Sequence, residues 1–175
     1  MPSISEKFAE RRAEGRAILV PYMTSGFPSR SASVDVLTGL VEAGGDVLEL
    51  GIPFSDPLAD GPTIQDSTFR ALEGGMTVEG TLEVLAEFRR LSDAPIVLFS
   101  YLNPLLRYGL EAFLADAEEA GAQGLLLTDV PTGADSEVEG AILDSALDLI
   151  RLVAPTTRPD RASSIAQQGQ GFLYY

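Results

Sequence analysis

Apolar runs with strand character alternate with helical stretches from one end of this chain to the other, and most of the runs end directly in a proline-bearing or polar loop. The runs lie at residues 18–23, 46–52, 96–101, 124–128, 149–154 and 171–175. A first short helix opens with the capping-box spacing Ser3-Ile4-Ser5-Glu6 and reaches about Ala13. Further helices are expected over 31–43, 65–72, 78–91, 110–120, 136–147 and 160–168. Val34, Leu37, Leu40 and Val41 share one helical face, as do Val78, Leu82, Leu85 and Phe88. Glycines at 44–45 and at 121 stand where helices should stop, and Asn103-Pro104 reads as the start of a loop. Parallel strands need long crossovers, which helices supply, so this order predicts an α/β protein with a parallel sheet. A weak echo, Glu42-Ala43-Gly44-Gly45 against Glu119-Ala120-Gly121-Ala122, fits repeated βα units. Polar groups gathered just after the strands suit the active-site face of a barrel. An open doubly wound sheet would place its site at the same strand ends. No G-x-G-x-x-G or Walker A pattern follows the first strand, which weakens a dinucleotide reading.

The stretch from Leu48 to Gln65 is chemically unusual. Glu49 sits inside an apolar strand, where desolvation disfavours a charged carboxylate. The loop that follows holds Pro53, Pro57 and Pro62, which stiffen it, together with Asp56 and Asp60. One reading is a catalytic carboxylate on a rigid strand beside a preset acidic loop. The other is an acidic turn whose glutamate reaches solvent. Strand parity puts Val47, Glu49 and Gly51 on one face and Leu48, Leu50 and Ile52 on the other. If the leucine face packs on helices, Glu49 points into the barrel.

Composition narrows the chemistry. The chain has no cysteine and no histidine. Disulfides, thiolate nucleophiles and every Ser-His or Cys-His arrangement are therefore excluded, and acid–base work falls to Asp, Glu, Tyr, Lys or Arg. The net charge of −14 should repel nucleic acid and anionic membranes. No apolar run reaches the length of a membrane span and no secretory signal is recognisable, so a cytoplasmic protein is expected.

The stretch Leu48–Gln65 closely resembles the signature of the tryptophan synthase alpha subunit family. Residues 20–28, Tyr101-Leu102-Asn103-Pro104, Leu127-Thr128-Asp129-Val130-Pro131, Val153-Ala154-Pro155-Thr156 and Gly171-Phe172-Leu173-Tyr174-Tyr175 follow in that family's order. The resemblance covers nearly the whole chain. It implies a (β/α)8 TIM barrel with six of its eight strands present, residues 1–175 forming one barrel domain without its last two βα units. It implies retro-aldol cleavage of indole-3-glycerol phosphate to indole and glyceraldehyde 3-phosphate, with no cofactor and no metal. The implied partner is the pyridoxal-phosphate-dependent beta subunit, in an alpha2-beta2 heterotetramer.

The resemblance also assigns roles. Glu49 becomes the general acid–base and Asp60 the carboxylate that meets the indole N–H. Tyr22, Phe99, Tyr101, Leu126, Thr128, Val153, Phe172 and Tyr174 are expected to line the indole pocket. Pro53, Asp56 and Pro57 are expected to face the beta subunit. Barrels of this type hold phosphate with loops after strands seven and eight, so the 175 residues alone are expected to be weakly active or inactive. Arg151 shares the parity of Val153, and on an inward face it would need a partner. The same motifs would suit a stand-alone lyase that releases indole. A truncated barrel acting only in assembly is the non-catalytic alternative.

Overall fold

The computed structural model, covering residues 1–175, contains one sheet of six parallel strands in the order β1 to β6. The strands are β1 (Tyr22–Thr24), β2 (Leu48–Gly51), β3 (Ile96–Ser100), β4 (Gly124–Leu127), β5 (Asp148–Leu152) and β6 (Leu173–Tyr174). Helix α1 (Ile4–Ala13) precedes β1, and α2 (Arg30–Glu42) joins β1 to β2. Helices α3 (Pro62–Glu73) and α4 (Val78–Phe88) follow β2, and α5 (Leu102–Tyr108) and α6 (Leu110–Ala120) follow β3. Helices α7 (Ser136–Leu143) and α8 (Pro159–Gln167) complete the crossovers. The result is a half-barrel, with β1 and β6 at its two edges.

Two apolar layers explain why the strands read as nearly continuous apolar runs. Leu48, Leu50, Leu98, Leu125 and Leu149 pack outward against helix residues such as Leu37, Leu85, Phe113 and Ile142. Val47, Val97, Leu126 and Ile150 pack inward around Ile4 of α1. Helix α1 thereby plugs the inner layer, and its Phe8 stacks on Phe172 at 5.4 Å between ring centroids. The predicted capping box forms: the Ser3 hydroxyl accepts from the Glu6 N–H, and the Glu6 carboxylate accepts from the Ser3 N–H.

Four local expectations change. The first strand is only Tyr22–Thr24, because Pro21 has no N–H to give to the ladder. Asn103-Pro104 lies in a helix, not a loop. Pro104 is the third residue of α5, where an N–H has no partner within the helix, and the Leu102 N–H is taken by Asp129 at 2.9 Å. Helix α7 stops at Leu143, since the Ser145 hydroxyl donates to the Ile142 carbonyl and accepts the Leu147 N–H, turning the chain early. Finally, Arg151 is not on the inward face. It points toward α7 and pairs with Glu139 at 2.5 Å, both residues being buried.

That ion pair makes a testable contribution. Arg151→Met should destabilise the chain by about 3–5 kcal/mol, because it strands a buried carboxylate. Replacing both partners, Arg151→Leu with Glu139→Leu, should return stability to within about 1 kcal/mol of the parent. Urea denaturation of the three proteins measures both effects.

Candidate active site

Parallel pairing sets inward side chains in rows across the sheet. The lowest row joins Tyr22, Glu49, Val97, Gly124 and Asp148. The next joins Thr24, Gly51, Phe99, Leu126 and Ile150. The row at the strand ends joins Tyr101, Thr128, Leu152 and Tyr174: the Thr128 N–H donates to Ser100 O at 3.1 Å, and Leu152 is paired with Tyr174.

Glu49 is therefore an inward residue, only 3% exposed. Its Oε1 is buried without a hydrogen-bond partner. Burial alone pushes its carboxyl from the ordinary 4.5 up to about 7. Glu49 is thus a neutral acid at the edge of ionising, with no protein group holding either form.

Aromatic rings frame the space around it. Tyr22 meets Phe99 edge to face at 5.4 Å, and Phe99 meets Tyr174 edge to face at 6.0 Å. This chain of rings crosses from β1 through β3 to β6. Burial pushes the Tyr22 hydroxyl up to about 12, opposed by its contact with Thr24 and reinforced by the Asp60 and Glu49 carboxylates. Burial also raises the Tyr174 hydroxyl, and Glu49 and Asp60 again add to it. Both carboxylates thus act electrostatically on both rings, as groups around one shared space do.

Asp60 lies on the loop after β2, and three contacts hold that loop still. The Tyr101 hydroxyl accepts the Ala59 N–H at 2.9 Å, Gln65 donates to the Asp60 carbonyl at 2.9 Å, and the Asp60 N–H donates to the Pro57 carbonyl at 3.1 Å. Phe54 packs on Tyr101 at 5.3 Å. The Asp60 carboxyl is half-buried; burial raises it, and a hydrogen bond with Tyr101 opposes the rise. Tyr101 therefore does more than line a pocket, since it fixes the loop that carries the second carboxylate.

The remaining expected site residues divide. Phe99, Thr128 and Tyr174 face the inner space. Leu126 and Phe172 belong to the inner core beneath it, with Ile4 and Phe8. Val153 is a correction. Because Arg151 points outward, the inward positions of β5 are Ile150 and Leu152, and Val153 is buried off that row. Leu152, 39% exposed, stands where Val153 was expected; the misfit of an inward arginine was the signal that could have found it. On the outer side of the loop Asp56 is exposed, whereas Pro53 and Pro57 are buried beneath it. Leu58, 92% exposed, is the apolar loop residue that sequence reasoning missed. No three His, Cys, Asp or Glu side chains converge as a metal-ligand set.

Gly51 is required by this packing. A Cβ there would fall on the Tyr22 hydroxyl and within 2.6 Å of its Cζ. Gly51→Ala should cost about 1–3 kcal/mol by overpacking, and markedly less in a Tyr22→Ala background, because the two sites share the clash. A double-mutant denaturation cycle measures this coupling.

A buried acid near neutrality, aromatic walls and a carboxylate on a stiff loop together suit proton transfer to and from a flat, apolar, cation-forming substrate. Comparison with known proteins points the same way. Residues 8–175 match the family model described as tryptophan synthase alpha chain. A tryptophan synthase alpha chain of Citrifermentans bemidjiense is 45% identical over all 175 residues, and the chain spans 66% of that relative's length. Tryptophan synthase subunit alpha from Legionella pneumophila superposes with a TM-score of 0.94 at 39% identity, over 100% of this chain and 67% of that one. Tryptophan synthase from M. tuberculosis in an aminoacrylate-bound form gives 0.92 at 38% identity, over 99% and 71%.

Proposed function

The chain belongs to the tryptophan synthase alpha chain family, and from that premise we propose that its site performs the retro-aldol cleavage of indole-3-glycerol phosphate to indole and glyceraldehyde 3-phosphate. The observation that carries this reading is Glu49, an inward, unpartnered carboxyl held near neutrality.

In the proposed reaction, protonated Glu49 delivers its proton to the ring carbon that bears the side chain, and the ring becomes cationic. The bond between that carbon and the side chain then breaks. Its electron pair returns to the ring and restores indole, while the adjacent hydroxyl loses its proton and becomes the aldehyde carbonyl. The proton lost balances the proton delivered. A group with a pKa near 7 can serve in both directions at neutral pH. Asp60 accepts from the indole N–H, and its charge stabilises the cationic ring. Tyr22, Phe99, Thr128, Leu152 and Tyr174 would surround the indole, and Tyr101 would keep Asp60 in place. None of these steps calls on a metal or cofactor.

The same reading supplies a partner and a setting. We infer that the beta subunit docks on the loop after β2, where Asp56 and the exposed Leu58 are available, within an alpha2-beta2 assembly in the cytoplasm. No helix is long and apolar enough to cross a membrane. We further infer that residues 1–175 are six βα units of one barrel domain.

The test is single-turnover cleavage with the protein in excess over substrate, with and without added beta subunit. Indole release by the chain, at least about 100-fold faster than by its Glu49→Gln variant, is expected. Equal, measurable rates for the two proteins would overturn the proposal.

A further inference from the structure

On the far side of the wall from Glu49, a cavity of about 250 Å³ lies between β5, α7, α8 and the segment after β4. Leu127, Ile142, Leu149 and Ile165 make it largely apolar. Its polar end is built from Arg151, Glu139 and Arg161. Thr128 and Leu152, placed around the indole above, also border this cavity, whereas its polar residues take no part in the chemistry described above.

The polar end is rigid and carries excess positive charge. The Arg151 stem is pressed against Gly169, where a Cβ would meet its Cγ at 3.2 Å. Its Nη2 donates to Glu139 Oε2 at 2.5 Å, and its Nε lies 3.5 Å from the Gln168 carbonyl. Its Nη1 has no protein acceptor, although the residue is only 4% exposed. Glu139 bonds Nη2 only, and its other oxygen takes the Gly133 N–H at 2.6 Å. Arg161, at the mouth, reaches across from α8 to the Thr132 carbonyl. Two guanidinium groups thus face one carboxylate. The Nη1 of Arg151 is thus a charged donor that no protein group holds and that is not sealed from solvent.

We propose that this cavity binds a small aliphatic monocarboxylate. A planar carboxylate matches the free edge of a guanidinium and cancels the one excess charge. The apolar lining suits a short branched hydrocarbon body, and the volume limits it to a few heavy atoms. Inorganic phosphate meets the charge requirement but leaves the apolar walls without a partner. The proposal stands independently of the cleavage chemistry.

The experiment is a methyl-resolved NMR titration of the 175-residue chain with isobutyrate, and separately with inorganic phosphate at matched ionic strength. Saturable shifts at the Ile142, Leu149 and Ile165 methyls are expected, with a dissociation constant on the order of 1 mM for isobutyrate and at least about tenfold weaker for phosphate. The Arg151→Leu, Glu139→Leu double variant removes both buried charges together and should weaken isobutyrate binding at least about tenfold. Arg161→Ala, at an exposed position, should weaken it about fivefold even if the double variant does not fold. No saturable shift below about 100 mM, phosphate binding as tightly as isobutyrate, or undiminished binding by either variant would overturn the proposal.

Discussion

Glu49→Gln should lower the cleavage of indole-3-glycerol phosphate by about 10²–10⁴-fold, the usual contribution of a positioned general acid–base, and at the same time make the protein more stable at neutral pH. The second effect follows from the environment of Glu49. Burial raises its carboxyl to about 7 from the ordinary 4.5. Between those values the unfolded chain releases the proton and the folded chain keeps it, so stability falls as pH rises through this window. The favourable contribution of the neutral carboxyl is fully present below about 4.5 and gone above about 7. Glutamine keeps the neutral form at every pH. The variant should therefore match the parent near pH 4 and exceed it above pH 7 by an amount on the order of 3 kcal/mol. A structural glutamate that folding depends on would give the opposite sign, with loss of activity and of stability together. Parallel activity assays and denaturation curves at pH 4.5, 6 and 8 separate the two.

Asp60→Asn should lower turnover by about 10²–10³-fold, the scale seen when one preorganised electrostatic contact to a developing charge is lost. KM should change much less than kcat, because the indole ring becomes cationic only on the way to cleavage. Stability should move by less than about 1 kcal/mol, since burial already opposes the charge on Asp60 in the folded chain. The loop itself should hold: the Ala59 N–H, the Asp60 carbonyl and the Asp60 N–H keep their contacts, and the amide oxygen of an asparagine can still accept from the Tyr101 hydroxyl. If turnover and stability fall in step, Asp60 is only a turn residue.

Much of this could be read from local pattern. A period-two alternation placed Glu49 opposite Leu48 and Leu50, and the structure keeps that division, with leucines against helices and Glu49 inward. The acid-bearing loop was marked by its prolines. Assigning Asp60 to the indole nitrogen, by contrast, came from family resemblance, since an aspartate before a glycine is equally a common turn. What pattern could not supply were contacts between distant parts of the chain. The partner of the Tyr101 hydroxyl is Ala59, 42 residues away. Arg151 owes its outward direction to Glu139 on a neighbouring helix, and without that pair the parity of β5 selected Val153 instead of Leu152. Helix α5 was hidden because Asn103-Pro104 resembles a loop, while a proline in a first helical turn costs no hydrogen bond.

The most direct measurement is the titration of the Glu49 side-chain carboxyl by ¹³C NMR, assigned by its disappearance in Glu49→Gln. A midpoint at about 7 is predicted; a midpoint near the ordinary 4.5 would mean a solvated or paired carboxylate and would contradict the account of Glu49 as the proton carrier of this site.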